Sequence, residues 1–342
     1  MTGAASVAGS DAAAAGAHDV LTLGETMVAL RGSGPLKLGG TLDVSVAGAE
    51  SNVAIGLSRL GHTVRWAGAV GADEAGELVL RTLRAEGVDV TAATRDADAP
   101  TGLILFEPRL PEVTRVHYYR AGSAGSRLAP EAVEAAFATG PAPRVLHLTG
   151  ITPALGPSAA RACRRALHLA REHGTQVCLD VNFRSRLWSP KDAATELRAW
   201  IPYVDVLIAS DDELPLCLPS RAGSGDVLTE KTLDVPPEKT LLDLGVREVV
   251  VKLGADGATA HTAEGTLRSP AREVRAVDAV GAGDAFVAGY LSALLDGADP
   301  AGRLDRAVTT GAFAVASHGD WEGAPTRAEL GLLGAGPGTV VR

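Results

Sequence analysis

The sequence predicts an α/β fold, a mostly parallel sheet flanked by helices and carrying a small β-lid. Strand-like and helix-like stretches alternate along most of the chain, the pattern of parallel strands joined by crossover helices. Two stretches break that rhythm with short runs of imperfect period-2 alternation, and these are read as the lid. The 342 residues, 46% of them hydrophobic, suffice for one large domain with a buried core.

In chain order, "DVLTLG" (Asp19–Gly24) reads as a first buried strand ending in a glycine turn. Met27 to Val46 is the first lid segment. "AESNVAIGLSRLG" (Ala49–Gly61) is a helix with Val53, Leu57 and Leu60 on one face and Gly61 just past its end. "TVRWAGAVG" is the next strand, and "DEAGELVLRTLRAEG" a helix with Asp73 as N-cap and Gly87 as stop. Thr101 to Arg120, with "TGLILFEP" and "TRVHYYR", supplies the second lid segment. "RVLHLTG", "PSAARACRRALHLAREHG", "TQVCLDVN", "VDVLIAS" and "REVVVKLG" resume the alternation. The polar, Gly/Pro-rich "PSRAGSGDVLTEKTLDVPPEK" is an expected exposed excursion. The expected organisation is a disordered tail over 1–18, a domain over 19–333 with lid segments at about 27–46 and 101–120, and a flexible tail over 334–342.

Composition narrows the function classes. Lys plus Arg number 32 against 41 Asp plus Glu, a formal charge of -9, which argues against a general nucleic-acid binder. An anionic ligand would therefore need a few well-placed Arg and Lys against an unfavourable overall field. Cys163, Cys178 and Cys217 form neither a disulfide framework nor a zinc pattern and read as buried small hydrophobes in a reducing cytosol. The histidines show no ligand spacing, so no structural metal is expected. Met1 to Ala17 lacks the basic and apolar regions of a signal peptide, and no later run approaches membrane-spanning length. The expectation is a cytoplasmic protein with no membrane and no nucleic-acid partner.

The chemistry is sought at the carboxyl ends of the strands, where ligands bind in open α/β sheets. In "DAVGAGDAFVAGY" (Asp278–Tyr290), glycines permit a tight turn and the following helix start offers free N–H groups to an anion. Asp284 falls in its first turn, either as a helix cap or as a general base for an attacking hydroxyl. "VVVKLGADGA" (Val249–Ala258) is a strand followed by glycines, either an ordinary hairpin turn or a loop lying along a nucleotide. "GLSRLGHT" (Gly56–Thr63) only superficially matches a P-loop, because His62 stands where the phosphate-cradling Lys belongs. No GxGxxG follows the first strand, which excludes a dinucleotide dehydrogenase.

Gly24-Glu25, "AGAESNVAIGLSRLG", "VGADEAGE", "KLGADG" and "DAVGAGDAFVAGY" occur in an order that resembles the ribokinase-like, or PfkB, carbohydrate kinase family, from about Leu21 to Leu330. The resemblance implies a doubly wound α/β domain with a β-lid, ATP and Mg2+, and transfer of the γ-phosphoryl group to a sugar hydroxyl. It makes Asp284 the catalytic base, with Gly281, Ala282 and Gly283 as the anion hole. It assigns Lys252, Gly254, Asp256 and Gly257 to the nucleotide loop, and Asp278 to a monovalent cation such as K+. The family often has Thr where this chain has Ala279. In "SDDE", Ser210 replaces the Asn of the family's Asn-x-x-Glu and joins the nucleotide side, while Glu213 is retained to organise hydrated Mg2+.

On the sugar side, Arg120 and Arg184 are either solvated surface charges or the forked donors that a sugar-acid carboxylate calls for. The segments GAE-x-N, YYR and N-[FY]-R resemble the 2-keto-3-deoxygluconate kinase branch. That resemblance implies substrate contacts from Gly48, Asn52, Tyr118, Arg120 and Arg184, and a nucleotide-facing Asn182. Asp320 in "SHGDWEGAP" is a substrate contact or an ordinary turn Asp, and Glu50 a substrate contact or a helix-start acid. The implied reaction is ATP-dependent phosphorylation of the 6-hydroxyl of 2-keto-3-deoxygluconate. The alternatives are a kinase of fructose, ribose or another deoxy sugar acid, and a non-catalytic sugar-acid sensor. Val44, Val46, Leu103 and Leu105 are apolar positions a thin lid cannot cover alone, so a homodimer through the lids is expected, with a higher homo-oligomer also open.

Overall fold

The computed structural model describes residues 18–110, 113–219 and 235–334. The expected tails and most of the polar excursion lie outside them. The strands are β1 (Val20–Leu23), β2 (Met27–Gly32), β3 (Leu42–Ala47), β4 (Val64–Ala67), β5 (Ala69–Gly71), β6 (Thr94–Asp96), β7 (Leu103–Leu110), β8 (Val113–Tyr119), β9 (Val145–Thr149), β10 (Gln176–Asp180), β11 (Val206–Ser210), β12 (Glu248–Lys252), β13 (Ala258–Thr262) and β14 (Gly265–Ser269). The helices are α1 (Ala49–Arg59), α2 (Glu74–Ala85), α3 (Pro130–Ala138), α4 (Ile151–Ala154), α5 (Pro157–His173), α6 (Pro190–Trp200), α7 (Pro237–Asp243), α8 (Ala282–Leu295) and α9 (Pro300–Val315).

Eight strands form one sheet in the order β14-β13-β12-β11-β10-β9-β1-β4, parallel from β12 to β4 and antiparallel at the β13–β14 edge. Alternate residues of each strand feed opposite faces. Leu21, Leu23, Val177 and Leu179 join α3, α5 and α6 in one core, while Val20 and Cys178 join α1, α2, α8 and α9 in the other. Helices therefore cover both faces, as parallel strands require. Local signals set the helix ends. Asp73 accepts from the Gly76 N–H as an N-cap, and α5 starts at Pro157 and stops at a left-handed Gly174. The strand order reverses between β1 and β9, so the cleft for a ligand opens at the carboxyl ends there.

"TVRWAGAVG" is two strands rather than one. The Trp66 indole lies where a side chain at residue 68 would go, and the Gly68 carbonyl accepts from Thr94 N–H at 2.9 Å. The chain leaves the main sheet there, and β5 pairs with β6 instead.

A second sheet, β3-β2-β7-β8, is built from two separated segments and stands over the cleft. Met27, Ala29, Ile104 and Phe106 face inward in a small cluster of their own. The opposite face corrects the sequence reading in part. Val46 is buried within the chain, because the root of that face, with Val28, Leu30 and Leu103, packs on the core that includes α2; Leu105 is buried too, and Val44 alone of the four is strongly exposed. The three cysteines are free and buried, and no helix among the described residues is long and apolar enough to cross a membrane.

Candidate active site

A cleft of about 1780 Å³ lies between the strand ends and the lid, and it brings together most of the residues singled out by sequence. Its floor is the start of α8. Gly281 is the N-cap with φ +74°, and a Cβ there would collide with the carbonyl oxygen of Asp320. This position requires glycine on both counts. The Ala282 N–H turns back to the Ala279 carbonyl at 3.3 Å, so Ala282 is a poorer anion donor than its place in the motif implies. The Gly281 and Gly283 N–H groups have no acceptor among the described residues.

Asp284 does not cap the helix. Its Oδ2 accepts from Asn52 Nδ2 at 2.8 Å, and the carboxylate is buried. Burial raises its pKa to about 7, opposed by the Asn52 hydrogen bond; Asp180 raises it further, while Arg184 and Lys252 pull it down. Asn52, expected to touch substrate, lines the cleft and also hydrogen-bonds this acid. Its Oδ1 is buried without a hydrogen-bond partner among the described residues.

Beside Asp284, Lys252 at the end of β12 donates to Asp180 Oδ1 at 2.7 Å. Burial works against this ammonium, but Asp180, Glu213 and Asp284 together hold its pKa above the ordinary lysine value. Lys252 therefore contributes a charged side chain close to Gly283, rather than only a loop position. Glu213 accepts from Phe183 N–H at 2.6 Å and Ser210 N–H at 2.8 Å. Burial, aided by Asp180, raises its pKa. Ser210, Gly254 and Gly257 line the cleft, and "GADG" is at once the turn between β12 and β13 and part of the wall. Asp256 is not among the residues that line the cleft. Asn182 lines the cleft with φ +40°, a left-handed conformation that Asn tolerates.

On the lid side, Gly48, Tyr118, Arg120 and Arg184 line the cleft. Arg120 donates from Nε and Nη2 to Glu25 Oε2 at 2.6 and 2.5 Å, and Ser123 Oγ donates to the same buried carboxylate. Its guanidinium lies 5.6 Å from the Tyr118 ring centre. Arg184 is exposed and has no carboxylate partner among the described residues; its Nη1 donates to the Phe183 carbonyl. Glu50 is buried and accepts from Thr149 and Thr152, each at 2.6 Å, with burial raising its pKa. It stands in the first turn of α1 with both threonines on its Oε1, and it also lines the cleft. Asp320 accepts from Arg31 Nη2 at 2.6 Å. Burial lifts its pKa to about 6 against the pull of Arg31. Asp278 accepts from Val280 N–H at 3.0 Å and from Arg31 Nη1 at 3.4 Å.

Sequence reasoning missed Asp180, Glu25 and Arg31. Asp180 had a signal, two positions before Asn182 at a strand end, and Glu25 adjoins the Gly24 turn. Arg31 had none.

The chain is similar to known proteins along most of its length. A model of the pfkB family of carbohydrate kinases matches residues 17–327. The 2-dehydro-3-deoxygluconokinase of Thermoproteus tenax is 35% identical, with 91% of this chain and 92% of the relative covered. The 2-dehydro-3-deoxygalactonokinase of Haloferax volcanii is 34% identical over 88% of this chain and 92% of its own. The crystal structure of 2-dehydro-3-deoxygluconokinase from Thermotoga maritima superposes with a TM-score of 0.81 at 26% identity, covering 93% of this chain and 99% of that one.

Proposed function

Because the chain belongs to the PfkB family of carbohydrate kinases, we propose that it transfers the γ-phosphoryl group of ATP to the 6-hydroxyl of 2-keto-3-deoxygluconate, giving 2-keto-3-deoxy-6-phosphogluconate. The observation that carries the reading is Asp284, a buried carboxylate oriented by Asn52 beside the Gly281 and Gly283 amides, in a cleft that also holds an exposed Arg184. Asp284 takes the proton of the attacking hydroxyl, and the Gly281 and Gly283 amides with the Lys252 ammonium stabilise charge on the transferring group. The lid over the cleft excludes water that would otherwise accept the phosphoryl group.

The residues fit a magnesium that arrives on the nucleotide. No group of three His, Cys, Asp or Glu among the described residues could hold a metal ion, and both Glu213 oxygens are engaged by N–H groups. Mg2+ commonly keeps its waters and takes substrate phosphates as ligands, so Glu213 would face it through water. When bound it neutralises phosphate charge. A K+ ion at Asp278 would compete with Arg31 for that carboxylate. A cytoplasmic location, where ATP is available, is part of the same proposal.

Arg184 is the cleaner test of the sugar-acid reading, since removing Arg120 would also strand the buried Glu25 charge. ADP release is expected with 2-keto-3-deoxygluconate or its galactonate-derived epimer, and far less with gluconate, fructose or ribose. Arg184→Met is expected to raise KM for the keto-deoxy acids about 10- to 100-fold, the worth of a charge-assisted hydrogen bond. Turnover on fructose or ribose alone would discard the carboxylate reading, and no turnover on any sugar would favour the sensor.

The proposed assembly is a homodimer through the outer lid face, where Val44 is 58% and Tyr119 61% exposed. Sedimentation at micromolar concentration is expected to show a dimer that Val44→Asp converts to monomer. A monomeric wild type would refute the interface.

A further inference from the structure

Arg31 lies on the inner side of the lid, in register with Asp43 on β3 and Phe106 on β7. Its guanidinium stacks 4.2 Å from the Phe106 ring centre and reaches down to two carboxylates of the main domain, Asp320 at 2.6 Å and Asp278 at 3.4 Å. Its Nε is buried without a hydrogen-bond partner among the described residues. These two acids belong to the two loops that frame the start of α8. Asp278 holds the turn into Gly281 by accepting from Val280 N–H, and the main-chain carbonyl of Asp320 occupies the space that a side chain at Gly281 would need. The loop of Asp320 is tied to the lid by two further bonds: Trp321 Nε1 donates to the Val46 carbonyl at 3.0 Å, and Ser45 Oγ donates to Glu322 at 2.5 Å. Arg59 donates to the carbonyls of Trp321, Glu322 and Ala324, so this loop is held from α1 as well.

We propose that Arg31 is a positioning residue of the phosphoryl-transfer site, through which the lid holds the two loops that aim the Gly281 and Gly283 amides. The proposal rests on the kinase reading above. Ser45 and Val46 tie the lid to the Asp320 loop alone, whereas the Arg31 guanidinium reaches the Asp278 loop as well. Its planar fork suits two carboxylates on different segments, which a single ammonium does not. Lid closure over a sugar would thereby be felt at the helix start without a direct contact between Arg31 and substrate.

A purely structural strut would cost stability and nothing else, so the test reads rate and pH together. The charged groups facing the Asp320 carboxylate are Arg31 from the lid, Asp278 from the preceding loop and Glu322 from its own loop. Without Arg31 the Asp320 carboxyl keeps only like-charged neighbours and titrates higher. Arg31→Met is therefore expected to lower kcat about tenfold at saturating ATP and sugar acid, a cost in keeping with small misplacement at a phosphoryl-transfer site. Asp284 sets the acid limb of the wild-type profile, and with Asp320 protonated over a wider range the limb of Arg31→Met is expected to move to higher pH. Arg31→Lys is expected to restore most of the pH profile and only part of kcat, and it serves as the test should Arg31→Met fail to fold. Asp320→Asn, combined with Arg31→Met, is expected to abolish the movement of the limb. A lowered melting temperature with kcat and pH profile unchanged in both Arg31 variants would overturn the proposal. Absence of turnover by the wild-type chain would instead count against the kinase reading.

Discussion

Replacing Asp284 by Asn is expected to lower kcat by about 10²–10⁴, the usual cost of removing a general base. The expectation is sharper than a simple loss. Burial holds the Asp284 carboxyl at about 7, so in the wild type kcat/KM is expected to fall as pH drops below that value, where the carboxyl is protonated and cannot accept the hydroxyl proton. In Asp284→Asn the residual rate is expected to lose this limb. Stability runs the other way. A carboxyl raised above its unfolded pKa is protonated in the folded chain while still ionised in the unfolded one. Its favourable contribution is present below the unfolded value of 3.8 and is lost as pH rises through about 7. The Asn variant keeps the shape without the buried charge and can still accept from Asn52. It is therefore expected to melt higher than wild type at pH 8, with the difference vanishing toward pH 4. A variant that keeps full turnover, or whose rate keeps the same pH limb, would remove Asp284 from the role of base.

The pairing of base and orienting group shows where sequence reading stops. The alternation of Leu21 and Leu23 against Val20, or Val177 and Leu179 against Cys178, was legible because it is set by neighbours two residues apart. The start of α8 was legible for the same reason, since a glycine turn, an acid and an apolar helix follow within a few positions. The contacts that make the site are of another kind. Asn52 and Asp284, Lys252 and Asp180, and Arg31 and Asp320 come from different elements, and nothing local distinguishes those partners from other polar residues. Arg120 illustrates the consequence. Its position at the lid was readable, yet the buried Glu25 that occupies two of its donors was not, and this transfers the cleaner test of carboxylate binding to Arg184. The lid's apolar positions teach the same lesson at the level of packing. Period-2 alternation identified side chains sharing a face, but the burial of Val46 depends on α2, a segment of chain that returns from elsewhere to cover the root of that face.

The two glycines of the anion hole should separate geometry from composition. Gly281→Ala is expected to cost about 10²–10³ in kcat, the loss seen when one preorganised oxyanion donor is displaced. Two terms force that displacement. The backbone at φ +74° strains any residue with a Cβ by roughly 1–2 kcal/mol, and the added carbon meets the Asp320 carbonyl oxygen, a main-chain atom that cannot rotate away. Relief requires the Gly281 turn or the Asp320 loop to move, and each carries a group of the site. Gly283 lies in the first turn of the same helix under no such constraint. A Cβ there meets the flexible Lys252 ammonium at 3.8 Å, an ordinary contact, and φ is not in the left-handed region. Gly283→Ala is therefore expected to keep activity within about tenfold of wild type, since one exposed methyl displaces no donor. Measuring kcat by ADP release and melting temperature for both variants distinguishes the two. Equal losses would mean that the motif demands small residues as such, and that the close approach of Asp320 to Gly281 has no part in holding the amides.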